Sequence, residues 1–293
     1  MTQTAPPYSY SAKNYSLLTK PGIIMGNLVT TAGGFALASK GNFSFLLFLA
    51  TLLGLGLIIA SSCVCNNLID RTSDKKMKRT QNRPLVTGAI STRSAAYFAV
   101  GLGIAGTVAL ALLTNLLTLF IALFGFVVYV TIYSFSKYHT VHGTLIGSVA
   151  GAVPPVVGYC AASNHLDLGA YILFAMIVLW QMPHFFAIAI YRKSDYDAAS
   201  IPVVPLVRGI KNTKIQMVLY TIAFTAVSLQ LTIFHYTGLA YLIVAAFLGL
   251  TWLALAITGF TTQDDNKWAR KMFIFSLITI MGLSITIPFS VLS

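Results

Sequence analysis

The length, composition and charge of the chain exclude an ordinary soluble domain. Of its 293 residues, 57% are hydrophobic and only 9% are charged, whereas about a quarter of the residues in a soluble domain are charged. The formal charge of +12 would suggest nucleic acid in a soluble protein, but here it accompanies apolar runs, several of them long enough to cross a bilayer as helices. We therefore expect an integral membrane protein that contacts lipid and has no nucleic-acid partner.

The predicted elements, in chain order, are a polar tail and nine membrane-spanning helices. We expect residues 1–20 to form a partly disordered cytoplasmic tail, because they lack the basic segment and apolar core of a signal peptide. Residues 21–293 are expected to form one all-α membrane domain. The predicted spans are 23–38, 43–65, 95–113, 116–135, 143–162, 169–190, 215–234, 239–259 and 272–292.

Lysine and arginine are divided unequally between the two sides of such a bundle. With nine helices, the tail and the loops after spans 2, 4, 6 and 8 contain eighteen of the nineteen basic residues, and Lys40 alone lies on the other side. Basic residues in short loops mark the cytoplasmic side of a membrane. We expect the N-terminus inside, the C-terminus outside, and an active site that faces the cytoplasm from the inner membrane of a bacterium.

The first long cytoplasmic loop begins with three polar residues at helical spacing. Asn66, Asp70 and Asp74 advance by four residues, so a helix that leaves the membrane would place them on one face. Two carboxylates one turn apart repel each other unless a cation lies between them, and such hard oxygen ligands suit Mg²⁺ together with substrate phosphates. The basic residues that follow can bind the outer oxygens of a diphosphate; they are Lys75, Lys78, Arg79 and Arg83.

A simpler explanation of this loop is a solvated amphipathic segment with mixed charges, and the spacing alone does not separate the two explanations. The position of the polar stripe favours chemistry, since it starts at the membrane boundary, one turn after Ser62. A diphosphate that is bound by a metal ion and by cations is a good leaving group. The pattern indicates cleavage of a carbon–oxygen bond with departure of diphosphate.

A second polar stripe crosses the apolar sequence of span 6. Gln181, His184, Tyr191 and Asp195 follow one another at helical spacing, and polar groups within a span normally face the interior of a bundle. If span 6 faces span 2, then Asp195, Tyr191 and Arg192 complete the metal and diphosphate site. Gln181 and His184 then lie deeper, where an acceptor can enter.

Structural explanations stay open for some of these residues. His184 can be a packing histidine that binds a neighbouring helix, and Tyr191 can belong to the aromatic belt of a membrane interface. We interpret residues 137–142, with one lysine and two histidines, as a simple cytoplasmic connection.

Two proline sites predict irregular helices. Pro183 is expected to kink span 6. The pair Pro154 and Pro155 is expected to break or bend span 5 and to widen an internal cavity.

These residues resemble the UbiA superfamily of intramembrane prenyltransferases. The signature of that family is an Asn-xxx-Asp-xxx-Asp motif after span 2, which Asn66, Asp70 and Asp74 match. The second family motif, Asp-xxx-Asp after span 6, reads Tyr191-xxx-Asp195 here, which is similar to the haem-farnesylating branch. Further similarity to that branch lies in residues 20–22, 77–85, 143–148, 180–184 and 195–202.

The resemblance implies a UbiA-like bundle around a central cavity, farnesyl diphosphate as the donor and a vinyl group of haem b as the acceptor. It implies Mg²⁺-assisted departure of diphosphate at Asp70, Asp74 and Asp195, capture of the allylic cation by the vinyl group, and addition of water to give haem O. His184 would be an axial haem ligand or a polar contact. The missing aspartate at Tyr191 implies a single well-held Mg²⁺, and a downstream haem enzyme or terminal oxidase is an expected partner.

Two other functions stay open at this point. One is a prenyltransferase with an aromatic acceptor such as 4-hydroxybenzoate. The other is an ion-coupled transporter, a class that places its acids near the bilayer midplane between broken helices of repeated halves. Here most of the acids lie at one rim beside basic residues, which favours phosphate chemistry over transport.

Overall fold

The computed structural model describes residues 10–292, and long apolar helices make up most of this part of the chain. Nine of the helices in the described range are long and apolar enough to cross a membrane. We number them spans 1–9: Pro21–Ser39, Phe45–Ile69, Thr92–Leu113, Leu116–His139, Gly143–Ser163, Leu168–Tyr191, Gly209–Ile233, Leu239–Phe260 and Asp265–Phe289. The expected all-α fold with nine spans is confirmed, and the protein is an integral membrane protein.

Several spans begin where a polar side chain can satisfy the free amide groups at a helix start. Each of these residues precedes the first turn and accepts a hydrogen bond from a backbone N–H two or three residues further on. They are Ser44, Ser91, Asn115, Asp167 and Asp264. Capping of this kind fixes the residue at which each of these spans begins.

Contacts between loops show which helix ends share one face of the bundle. The helix ends and loops that follow spans 2, 4, 6 and 8 lie together: Lys137 at the end of span 4 contacts Asp70, Lys78 contacts Asp195, and Lys214 at the start of span 7 contacts Gly259 at the end of span 8. We call this end of the bundle the basic face, formed by residues 10–20 and by the loops at 70–91, 140–142, 192–208 and 261–264. Short helices at this face are Arg71–Asp74, Pro84–Thr87, Lys193–Ala198 and Val204–Val207.

The N-terminal segment differs in part from the expected disordered tail. Residues 1–9 of that tail lie outside the described range, but Ala12–Thr19 forms a helix on the basic face. Leu18 of this helix is fully buried, and its carbonyl accepts a hydrogen bond of 2.8 Å from Nδ2 of Asn67. Tyr15 packs on Phe98 and bonds Ser94. The segment is ordered because its apolar side covers the ends of spans 2 and 3.

Two of the spans are interrupted in their regular α-helical geometry. Span 5 is broken at Ala152, just before Pro154 and Pro155, which confirms the expected break. Span 4 contains a π-helical segment, Val128–Tyr133, which the sequence did not predict. Span 6 continues through Pro183 as one helix, and the expected kink at this residue stays a prediction.

Spans 1 and 5 approach each other closely through glycines. An added Cβ at Gly34 would overlap the carbonyl of Pro155, and one at Gly158 would overlap the carbonyl of Thr31. In a bilayer the hydrophobic effect does not drive helices together, so their association depends on close packing. Small residues allow that packing because they let two helix backbones approach each other. This pair of spans therefore fixes one wall of the central cavity.

We predict that Gly158→Ala destabilises the fold by about 1–3 kcal/mol, because the new methyl group meets a backbone carbonyl that cannot rotate away. Unfolding of the purified protein by titration with denaturing detergent would measure the loss. Gly101→Ala in span 3 is the matched control, since nothing lies within 4 Å of a Cβ there. Equal midpoints for the two variants would contradict the packing argument.

Candidate active site

A cavity of about 640 Å³ lies inside the bundle and reaches the basic face. Spans 1, 2, 4, 5, 6 and 9 line it, together with the loops that follow spans 2, 4 and 6. Its end at the basic face is polar and charged. Its deeper wall is largely apolar, with residues such as Leu55, Ala122 and Ile280.

The three polar residues after span 2 all line this cavity. Span 2 ends at Ile69, and the short helix Arg71–Asp74 continues in nearly the same helical path after Asp70. Asn66, Asp70 and Asp74 are consequently on the cavity wall, and all three are buried. The structure therefore places the expected oxygen donors side by side at the polar end of the cavity.

Both carboxylates already have cationic partners from elsewhere in the chain. Nζ of Lys137, at the end of span 4, lies 2.5 and 2.6 Å from the two carboxylate oxygens of Asp70, and the hydroxyl of Tyr138 donates to one of them at 2.7 Å. Nη1 of Arg83 lies 2.6 Å from Oδ2 of Asp74. A buried carboxylate without such a partner would be strongly destabilising, so these pairs hold the helix ends together.

Lys20 brings a further cation to the cavity. It connects the helix Ala12–Thr19 to span 1 with a left-handed backbone, φ 54°, and its Nζ donates to Oδ1 of Asn66 at 2.5 Å. Burial lowers the pKa of Lys20 to about 8, so Lys20 is charged in most of the protein molecules at neutral pH. The cavity is thus lined by four cations, Lys20, Arg79, Arg83 and Lys137.

Five of the residues assigned to the donor site from the sequence do not line the cavity. They are Lys75, Lys78, Tyr191, Arg192 and Asp195. Lys75 and Lys78 are exposed. The ring of Tyr191 packs against Phe273 and lies 5.5 Å from the guanidinium carbon of Arg192. Of the expected diphosphate ligands, only Arg79 and Arg83 face the cavity.

Asp195 joins the two long loops of the basic face. One of its carboxylate oxygens accepts a hydrogen bond of 3.0 Å from the backbone N–H of Lys78. Within the described range, no three His, Cys, Asp or Glu side chains lie close enough to share a metal ion. Asp70, Asp74 and Asp195 each bind a different partner in the structure, and their convergence on one cation stays a prediction.

Asn66, Asp70 and Asp74 nevertheless provide oxygen donors of the kind that Mg²⁺ prefers. Two carboxylates and one amide oxygen on a single cavity wall leave coordination positions for phosphate oxygens and water, as is usual for Mg²⁺ in proteins. Both carboxylates are buried and already attract cations. The donor set therefore fits a divalent ion that arrives with a diphosphate.

The predicted acceptor residues of span 6 lie deeper in the same cavity. Nε2 of Gln181 donates to the carbonyl of Ser148, at 3.0 Å, beside the break in span 5. Nδ1 of His184 lies 2.7 Å from Oγ of Ser276 in span 9, and the imidazole stacks on Trp180 with 4.6 Å between ring centroids. Both predicted residues are buried, and both line the cavity.

Aromatic side chains line the cavity next to its charged end. Tyr129 and Tyr133, in the π-helical segment of span 4, stack with 5.3 Å between their centroids and line the cavity. Nζ of Lys137 lies 5.2 Å from the centroid of Tyr133. On the opposite loop, burial raises the pKa of Tyr196, so this phenol stays protonated.

The sequence did not identify Lys20, Lys137, Tyr129 or Tyr133 as site residues. The sequence favours a simple connection for residues 137–142, although Lys137 lies one turn after Tyr133 at the charged end of span 4. The sequence could have indicated Lys137, because the loops after spans 2, 4, 6 and 8 share one face of the bundle and this brings the lysine near the aspartates. π-Helical segments often occur at functional sites, but no sequence rule marks this one.

Comparisons with known proteins agree with this architecture. A profile of the UbiA prenyltransferase family matches residues 27–278. A protein named protoheme IX farnesyltransferase, from Protochlamydia amoebophila, is 60% identical over 95% of this chain and 99% of its own length.

Solved structures show the same fold at low sequence identity. A UbiA homologue from Aeropyrum pernix matches with a TM-score of 0.75 and 18% identity, over 92% of this chain and 98% of that one. A UbiA homologue from Archaeoglobus fulgidus, bound to GPP and Mg²⁺, matches with a TM-score of 0.68 and 15% identity, over 94% and 99% of the two chains. On the profile match and the full-length relative, the chain belongs to the UbiA prenyltransferase family.

Proposed function

We propose that this protein transfers the farnesyl group of farnesyl diphosphate to a vinyl group of haem b. The observation that carries the proposal is one continuous cavity with two chemically different ends. Buried carboxylates and four cations lie at one end, and His184 and Gln181 lie at the other. The name of the relative from Protochlamydia amoebophila, protoheme IX farnesyltransferase, supplies the identity of the two substrates.

The charged end suits the diphosphate of the donor. Lys20, Arg79, Arg83 and Lys137 line the space where its oxygens would lie, and charge-assisted contacts to a leaving diphosphate stabilise the negative charge that develops on it. When bound by Asn66, Asp70 and Asp74, Mg²⁺ would supply further stabilisation of that charge. The Archaeoglobus fulgidus homologue, solved with GPP and Mg²⁺, supports this part of the proposal.

The aromatic wall next to the charged end suits the allylic group. The stacked rings of Tyr129 and Tyr133 line the cavity beside Lys137. Aromatic faces attract a cation, most strongly in a site that excludes water. The two tyrosines would therefore stabilise positive charge on the prenyl carbon while the apolar wall keeps water away before the vinyl group reacts.

The active site of this protein would face the cytoplasm from a bacterial inner membrane. The basic face carries the long charged loops, whereas Lys40 is the single Lys or Arg at the opposite end of the bundle within residues 10–292. Positive charges in short loops are retained on the cytoplasmic side during insertion. The donor would then enter from the cytoplasm, and the product would leave toward a haem enzyme or terminal oxidase in the same membrane.

The test of the function is a product assay on membranes that contain the expressed protein, supplied with farnesyl diphosphate and haem b. We expect mass spectrometry to detect haem with an added hydroxyethylfarnesyl chain, and the product to disappear when Mg²⁺ is removed by a chelator. Prenylated 4-hydroxybenzoate without farnesylated haem would instead identify an aromatic acceptor. Ion flux without a diphosphate donor would identify a transporter.

We predict that Asp70→Ala and Asp74→Ala each reduce haem farnesylation about 100-fold or more, because each removes a donor to Mg²⁺ and releases a cation from its partner. The same mass-spectrometric assay measures the loss at equal amounts of inserted protein. Asp197→Ala is the matched control, since Asp197 is an exposed acid on the same face. Full activity of either test variant would exclude its carboxylate from the metal site.

We predict the membrane orientation from single cysteines introduced at Lys76 and Lys40. Both side chains are exposed, and they lie at opposite ends of the bundle. In a background without the three native cysteines, a membrane-impermeant maleimide should label Lys40→Cys in intact spheroplasts and label Lys76→Cys only after lysis. The reverse pattern would show that the basic face is outside.

A further inference from the structure

At the acceptor end of the cavity, a hydrogen bond with span 9 holds the imidazole of His184 in span 6. Ser276 of span 9 is fully buried, and its hydroxyl oxygen has two close neighbours. The carbonyl oxygen of Phe273 lies 2.6 Å away, and Nδ1 of His184 lies 2.7 Å away. The protonation of His184 follows from how this single hydroxyl proton is shared.

The hydroxyl of Ser276 donates its proton to the carbonyl oxygen of Phe273. A carbonyl oxygen only accepts, and two oxygens at 2.6 Å with no proton between them would repel each other. Since Ser276 has only one proton to donate, its oxygen must accept a hydrogen bond from the imidazole. Nδ1 of His184 therefore carries a proton. Burial of the ring among aromatic side chains disfavours a second, charged form, so Nε2 keeps a free electron pair.

The other contacts of the ring fix its orientation. Trp180 stacks on the imidazole with an interplanar angle of 25°, and its indole N–H donates to the carbonyl of Ser276 at 2.8 Å. Phe273 lies 4.9 Å from the ring of His184. Among the residues described, none forms a hydrogen bond with Nε2, although the ring itself lines the cavity.

A neutral imidazole with a free Nε2 is the form that binds metal ions. In metalloproteins the second ring nitrogen of such a histidine normally donates to a nearby acceptor, which fixes the tautomer and the direction of the ligand. His184 and Ser276 already have this arrangement before any acceptor arrives. The iron of a haem is the metal that the acceptor itself would bring into this apolar part of the cavity.

We propose that Ser276 is a positioning residue, which holds His184 as the Nδ1–H tautomer so that Nε2 binds the iron of the haem acceptor. This inference rests on the proposed function, because it takes haem as the acceptor. The haem would then be fixed by its iron, and its vinyl group would be held at a constant distance from the prenyl group. Ser276 itself touches neither substrate.

The first test needs no substrate. Protein with ¹⁵N-labelled histidine, measured by solid-state NMR in lipid at mildly alkaline pH, reports the tautomer of each ring. We expect a protonated Nδ1 and an unprotonated Nε2 for the signal that disappears in His184→Ala. Ser276→Ala should give a mixture of tautomers at this ring, and Ser276→Thr, which keeps the hydroxyl, should restore the single form. An Nε2–H tautomer in the unmodified protein would overturn the proposal.

The second test measures haem binding by the purified proteins in lipid nanodiscs. Absorption and resonance Raman spectra of ferric haem b should show histidine ligation, which His184→Ala removes. Ser276→Ala should weaken haem binding about 10-fold or more and raise KM for haem more than it changes KM for farnesyl diphosphate. Ser276→Thr should recover most of the affinity.

The matched control is Thr279→Ala, which removes a buried hydroxyl of the same span. Among the described residues, this hydroxyl bonds only the carbonyl of Phe275. The variant should keep the unmodified spectrum and affinity. If the unmodified protein forms farnesylated haem, the positioning role would be overturned by either of two results. One is unchanged haem binding in Ser276→Ala, and the other is a histidine-ligation spectrum that survives in His184→Ala. Absence of farnesylated haem from the unmodified protein would instead reject the proposed function.

Discussion

The pairing of two buried carboxylates with cations from distant parts of the chain determines how the basic face is organised. Asp70 and Asp74 follow span 2, but their partners come from the end of span 4 and from the loop before span 3. In a membrane protein an unpaired buried charge is costly, so these ion pairs restrict which helix ends can meet. The polar end of the cavity is formed by the same groups that tie the loops together.

The fold was predictable because hydrophobic length and loop charge are local properties of the sequence. The nine apolar segments were enough to predict the spans. The unequal distribution of lysine and arginine was enough to predict that the loops after spans 2, 4, 6 and 8 share one face. Proline correctly marked the break in span 5. Span 6 stays one helix through Pro183, since neighbouring helices can satisfy the carbonyl that proline leaves free. The helix Ala12–Thr19 was missed because its order depends on the helix ends that it covers.

The site was predictable where residues stay in register with a helix. Asn66, Asp70, Asp74, Gln181 and His184 all follow a span or lie within one, and all of them line the cavity. Helical spacing fails after Asp74, where the short helix ends, and the next lysines turn toward solvent. Partners such as Lys137 depend on which loops meet in space, which no spacing within one segment specifies.

The left-handed corner at Lys20 has a practical consequence for handling the protein. It joins a surface helix to span 1 and also points a cation into the cavity, and a non-glycine residue adopts this backbone only when its surroundings hold it there. A bulky purification tag or fluorescent fusion placed close to Ala12 would pull on that corner and disturb the donor end from outside the membrane. Fusions for expression or imaging are better placed at the other terminus, far from this junction.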